Sequence, residues 1–194
     1  PLMAESSPTI TMEGEKLRIS RPGEFKIDLN QASRCGSIAF TDLCGQSSHD
    51  LSPRFLWNAI KTLYAYLLLS SKKGALMHSS AVSSNGHGHA FLGPSGAGKS
   101  TIASLLTRSA QTSIFNDDVN AITIEAEQLT LHSTPFCGGE PKIWEKRHAP
   151  LRGIYKLVQA PENKISPLGP AAATRLSLEC IASPHECHRI ALLA

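Results

Sequence analysis

Charge is scarce in this chain of 194 residues. Charged side chains make up 18% of it and the formal net charge is +3. A surplus that small and that scattered excludes a polybasic nucleic-acid-binding tract, and it fits an anionic small ligand equally well. Long apolar runs are also missing. The longest candidate, residues 63–69, contains Tyr64 and Tyr66 and falls far short of the roughly 18 to 20 apolar residues of a membrane span. The five cysteines (Cys35, Cys44, Cys137, Cys180, Cys187) are odd in number and irregular in spacing, so no disulfide framework is expected. His185, Cys187 and His188 lack a second pair at zinc spacing, which argues against a structural zinc site. No secretory signal is read, and the expected compartment is cytoplasmic. Apolar residues at 41% describe a globular protein able to bury a core.

What is present is one phosphate-binding pattern with every fixed position filled: Gly93-Pro94-Ser95-Gly96-Ala97-Gly98-Lys99-Ser100, followed by Thr101. The glycines permit backbone conformations closed to residues with a Cβ, so successive N–H groups can turn inward around phosphate oxygens. Lys99 brings charge to the terminal phosphates and Ser100 a hydroxyl to Mg²⁺. A short buried strand, residues 88–92, leads into the loop. A helix over residues 101–108, with Ile102, Leu105 and Leu106 on one face, leads out of it. The positive end of that helix adds to the attraction for phosphate.

Residues 112–116 read as the next strand, ending in Asp117-Asp118 only 18 residues beyond Lys99. Carboxylates at a strand end beside a phosphate loop supply the hard oxygen ligands that Mg²⁺ needs; the bland alternative is a polar turn. There is no LSGGQ-like signature of a transporter ATPase and no NKxD guanine-recognition motif.

Upstream, residues 9–40 alternate apolar and polar positions between Gly14 and Pro22-Gly23, the pattern of short antiparallel strands. Residues 41–53 read as a polar loop. Pro53 opens a helix to about residue 71, whose stripe of Leu56, Ile60, Leu63 and Leu67, widened by Trp57 and Tyr64, is expected to pack on a sheet. A strand over residues 75–82 then turns through Asn85-Gly86 into the phosphate-loop strand. That hairpin is expected to carry His78 toward the nucleotide; the alternative is a hydrogen-bonded core or surface histidine. Residues 119–125 and 128–132 form another hairpin. The glycine-containing loop at 134–140 is followed by Lys142, Lys146 and Arg147, and a strand near residue 151 carries Arg152. Arg152, Arg147 and Lys142 are candidate phosphate or substrate clamps, a solvated charge run being the alternative. Pro170 starts a last helix. The expected division is a strand-rich segment at 1–52 and a phosphate-loop domain at 53–194.

Four stretches in order resemble the kinase domain of HPr kinase/phosphorylase, and more closely the shorter HPr kinase-like proteins. They are His78 within Leu76-Met77-His78-Ser79-Ser80-Ala81-Val82, the loop with Thr101, Asn116-Asp117-Asp118, and Thr134-Pro135-Phe136 with the stretch from Pro150 to Leu157. The resemblance implies an α/β fold: a P-loop kinase domain of the HPr kinase/PEP carboxykinase type with a mixed sheet. It also implies that Asp117 is the base accepting the proton of an attacking hydroxyl, that His78 assists or orients it, that Asp118 holds Mg²⁺ with Ser100, and that the protein is a homo-oligomer. The glutamate- and glycine-rich signature of the bifunctional enzymes is absent, so phosphorylase activity is not implied.

The resulting expectation is an ATP- and Mg²⁺-dependent kinase acting on a hydroxyl, a serine by preference, of a peptide, small protein or metabolite, with no nucleic-acid partner. The alternative is a regulator that binds and slowly hydrolyses nucleotide and has no phosphoacceptor.

Overall fold

The computed structural model describes residues 8–40, 53–137 and 145–182. The polar loop at 41–52, Lys142 and the His185, Cys187 and His188 group lie outside the described residues. The described chain divides into two compact units, one running to Lys72 and one spanning Lys73–Ala182. The division falls 20 residues beyond the boundary read from the sequence, because the helix after Pro53 packs with the strands that precede it.

In the first unit, β1 (Thr9–Glu13), β2 (Lys16–Arg21), β3 (Phe25–Asn30) and β4 (Cys35–Phe40) pair antiparallel in chain order. Alternation with period two sends Leu17, Ile19, Phe25 and Ile27 to one face, where all four are buried. Each buries a side chain worth about 2 kcal/mol. The polar face carries the ladder in which Arg18 Nε donates to Asp28 Oδ1 at 2.7 Å and Lys26 Nζ lies 3.2 Å from Asp28 Oδ2.

Helix α1 (Pro53–Ser70) covers the apolar face, but with a different stripe from the one expected. Ala59 and Tyr66, with Leu63 and Leu69, pack on the strands, while Leu56, Trp57, Tyr64 and Leu67 are exposed. Leu63 is the residue of the expected stripe that packs there; the inward face is turned toward Ala59 and Tyr66, so side-chain bulk alone misidentified it.

The second unit holds a seven-stranded sheet. Its strands are β5 (Gly74–His78), β6 (Ser80–Ser84), β7 (His87–Leu92), β8 (Thr112–Asn116), β9 (Val119–Glu125), β10 (Gln128–Ser133) and β11 (His148–Lys156). They lie in the order β5-β9-β10-β11-β7-β6-β8, and only β11 and β7 run parallel. Helices α2 (Lys99–Leu106) and α3 (Pro170–Cys180) take opposite faces. Val82 and Phe91 cluster with Ala103 of α2, whereas their neighbours Ala81 and Ala90 cluster with Leu176 and Cys180 of α3. On α2 only Ala103 is buried; Leu105 and Leu106 of the predicted apolar face are exposed.

The expected α/β fold of the HPr kinase/PEP carboxykinase type is therefore corrected. Eleven strands and three helices make the described residues mostly β. The physical reason lies in the turns. Asn85 and Gly86 (φ 51° and 77°) and Ala126 and Glu127 (φ 47° and 64°) close two-residue hairpins, which build antiparallel ladders in place of strand–helix–strand crossovers. The phosphate-loop motif demands only a local strand, loop and helix, and does not dictate the architecture around it.

A second correction concerns residues 75–82. The expected single strand breaks at Ser79, whose N–H donates to the Asp118 carbonyl at 3.0 Å. Residues on either side join different partners: β5 pairs with β9, while β6 pairs with β7 and β8. His78 thus sits opposite Val119 on β9 and not on the strand hairpinned to the loop. No described helix is long and apolar enough to cross a membrane.

Candidate functional site

Strand β7 delivers the chain into the glycine loop at Gly93, and α2 begins at Lys99. Gly96 (φ 78°) and Gly98 (φ 98°, the residue capping α2) are in the left-handed region, where a Cβ would be strained. Such alternation lets consecutive amides converge on one point. The Lys99 ammonium donates to the carbonyls of Gly93 (2.9 Å) and Pro94 (3.1 Å), folding the side chain back over its own loop. The far side of the loop is tied to the chain after β11, where Gln159 Nε2 donates to the Gly96 carbonyl at 3.0 Å.

The acidic turn between β8 and β9 is built on a buried amide. Asn116 Nδ2 reaches the carbonyls of Val119 (3.0 Å), Thr134 (2.7 Å) and Phe136 (3.0 Å), and its Oδ1 accepts from the Asp118 N–H at 3.1 Å. Beneath it Asn120 Nδ2 donates to the Ser79 carbonyl at 2.8 Å and the Asn116 carbonyl at 3.2 Å. In a low-dielectric interior such a network fixes a single turn geometry. Asp117 is exposed and Asp118 half-buried at the rim of this network. His78 Nδ1 lies 3.3 Å from Asp118 Oδ1.

One cleft of about 590 Å³ gathers these groups. The loop residues Gly93, Pro94, Ser95, Gly96, Gly98, Lys99, Ser100 and Thr101 line it, facing His78, Asp117 and Asp118. Ala97 belongs instead to an adjoining cavity on the other side of the loop. Neither Arg147 nor Arg152 lines the cleft. Arg147 is engaged by Glu145 and donates to the Ile114 carbonyl at 3.2 Å, and Arg152 is exposed at a register shift in β11.

Sequence reasoning missed two lining residues, Glu179 and Cys180. They arrive because the end of α3 is stitched to β5: Met77 bridges Ile181, and the Ala182 N–H donates to the Leu76 carbonyl at 2.8 Å. Nothing in the local pattern of residues 170–180 signals that contact. Burial raises the Cys180 thiol pKa, opposed by a hydrogen bond with the Gly93 backbone and by the Lys99 charge.

Among the described residues no cluster of three or more His, Cys, Asp or Glu could hold a metal by itself. Mg²⁺ does not require one, since it binds through one or two carboxylates, substrate phosphates and water. Asp118, Asp117 and the Ser100 hydroxyl in one cleft fit that hard-oxygen donor set.

Fold and site together define a mostly β protein in which a carboxylate pair and a glycine loop line one cleft. The family described as SynChlorMet cassette protein ScmC matches residues 42–185, about three quarters of the chain, and the chain belongs to that family. No curated protein matches it. This membership replaces the resemblance to HPr kinases drawn from four short stretches. A glycine loop and an acidic turn are local features that unrelated folds can carry, so sharing them does not establish a family.

Proposed function

We propose that this protein is an ATP- and Mg²⁺-dependent kinase that transfers the γ-phosphoryl group to a hydroxyl of a peptide, small protein or metabolite. The observation that carries the reading is the cleft in which Lys99 and Ser100 of the glycine loop face Asp117, Asp118 and His78. Phosphoryl transfer needs chiefly positioning and charge neutralisation, with one group to orient the nucleophile, and these residues supply each part.

The loop amides and Lys99 bind the donor's phosphates, Lys99 leaving the Gly93 and Pro94 carbonyls to do so. Asp117, exposed on the cleft, accepts the proton of the attacking hydroxyl. As that oxygen bonds to the γ-phosphorus, the bond from phosphorus to the bridging oxygen breaks and ADP leaves with the electron pair. Asp118 and Ser100 would hold Mg²⁺, which would supply positive charge against the donor's phosphates. His78, whose Nδ1 lies 3.3 Å from Asp118 Oδ1, holds that carboxylate in place and is a positioning residue.

Radiolabelled ATP offered with hydroxyl acceptors tests this. The expected outcome is a labelled acceptor, with transfer lost in Asp117→Asn while ATP binding is retained. ATP hydrolysis with no labelled acceptor, and no effect of Asp117→Asn on turnover, favours the nucleotide-binding regulator instead.

A further inference from the structure

The cavity on the other side of the glycine loop has no part in the chemistry above. It measures about 670 Å³, within the range of small-molecule sites, and shares Gly93, Pro94, Ser95, Gly96, Glu179 and Cys180 with the phosphate cleft. The two spaces therefore adjoin along the loop, and Glu179, which lines both, stands at the seam between them. Beyond the seam the character changes. Leu157, Val158 and Leu176 form an apolar wall beside Lys156 and Gln159, and Val158 is 71% exposed, an apolar side chain presented to an open cavity. Gln159 joins this wall to the loop through the Gly96 carbonyl, so both halves are held in one frame.

A donor made only of phosphate makes no use of the apolar part of this half. Among the described residues Lys156 is its one cation, the walls formed by Leu157, Val158 and Leu176 do not solvate an anion, and a carboxylate at the seam repels one. The same carboxylate accepts hydrogen bonds from neutral hydroxyls, and the apolar wall suits a flat aromatic base. In a nucleoside triphosphate the group between base and phosphates is a ribose carrying two hydroxyls, the chemistry that the order loop, carboxylate, apolar wall can recognise.

Resting on the reading of the loop as a triphosphate site, we propose that the donor's nucleoside lies in this second cavity, with the ribose hydroxyls donating to Glu179 and the base against Leu157, Val158 and Leu176. Glu179 is then a specificity residue that distinguishes ribonucleotides from deoxyribonucleotides. Its carboxylate also pairs with Arg175 (2.8 Å, one helical turn away) on the exposed side of α3.

Calorimetric titration of the full chain with Mg²⁺ and ATP, 2′-deoxy-ATP, 3′-deoxy-ATP or inorganic tripolyphosphate tests the placement. ATP is expected to bind more tightly than tripolyphosphate and about tenfold more tightly than at least one deoxy analogue, the worth of one hydrogen bond to a charged group. In Glu179→Ala that preference is expected to vanish, with tripolyphosphate binding unchanged or stronger. Val158→Asn, on an exposed position, is expected to weaken ATP several-fold and leave tripolyphosphate alone. Tripolyphosphate binding as tightly as ATP, or an ATP preference over both deoxy analogues that survives Glu179→Ala, overturns the nucleoside placement while leaving the phosphate site standing. Binding of neither ATP nor tripolyphosphate by the unaltered chain, or full binding by Lys99→Ala, sinks the phosphate site and this inference with it.

Discussion

His78 Nδ1 sits 3.3 Å from Asp118 Oδ1, although the two residues lie 40 positions apart in the chain, one at the end of β5 and the other in the turn between β8 and β9. The contact exists because β5 and β9 are paired in a register that sets His78 opposite Val119, the residue after Asp118. The Ser79 N–H bound to the Asp118 carbonyl locks that register. If the imidazole orients a carboxylate that holds Mg²⁺, removing it should act through the metal. His78→Ala is expected to raise the Mg²⁺ concentration for half-maximal phosphoryl transfer by about tenfold, the usual cost of losing a residue that orients a ligand. The check is a Mg²⁺ titration at saturating ATP; a fall in rate that no Mg²⁺ concentration restores would contradict it.

Asn116 is expected to matter for stability before it matters for chemistry. Its buried amide serves the carbonyls of Val119, Thr134 and Phe136, and Asn116→Ala would leave these without that donor. The Val119 carbonyl keeps the Thr134 hydroxyl, and a cost of about 2–4 kcal/mol follows from removing the donor to the Thr134 and Phe136 carbonyls and opening a small cavity. Urea denaturation measures it, and a change under ~1 kcal/mol would mean that the network is not cooperative.

At Gly74 the constraint is steric. An added Cβ would lie 2.2 Å from the Ile122 carbonyl oxygen and 2.8 Å from Thr123 Cα, both backbone atoms of the neighbouring β9. Neither can retreat without breaking the ladder that aligns His78 with the acidic turn. Gly74→Ala is expected to lower stability by at least ~2 kcal/mol and to reduce transfer activity, whereas Gly86→Ala, with nothing within 4 Å, pays only the left-handed backbone strain. Thermal melts of the two variants should rank in that order.

A pH dependence follows from two histidines away from the cleft. Burial lowers the pKa of His89, which faces the Tyr155 hydroxyl at 3.3 Å, and of His132, whose Nε2 lies 2.7 Å from Thr123 Oγ1. With a folded pKa below the ordinary 6.5, each resists protonation when folded and accepts it when unfolded. Their contribution is therefore fully present above pH 6.5 and is lost as pH falls through the folded value. Unfolding free energy should decline from pH 7.5 to pH 5.5, and His132→Gln should flatten that decline. An unchanged slope in the variant would remove His132 as a cause.

The glycine loop, the strand before it, the helix after it and the carboxylate pair were legible because each is specified by neighbours in sequence. Gly96 and Gly98 take backbone conformations that only glycine adopts readily, and the two hairpins follow from Asn85-Gly86 and from the spacing of residues 119–132. The fold type and the family were not legible. Short stretches shared with HPr kinases described the needs of a phosphate cleft, while the antiparallel ladders and the match over residues 42–185 decided otherwise.

By itself, then, the sequence determined a glycine loop of phosphate-binding pattern, two carboxylates close after it and a strand-rich lead-in, since all of these depend on local backbone preference and on period-two burial. Only the tertiary structure decided which distant side chains meet there. A break at Ser79 handed His78 to Asp118, a bridge from Ile181 to Met77 carried Glu179 and Cys180 to the loop, and no such contact seats Arg147 or Arg152 in the cleft. Strand register and helix docking depend on packing between residues far apart in the chain, and no local pattern encodes which partner a strand end will find.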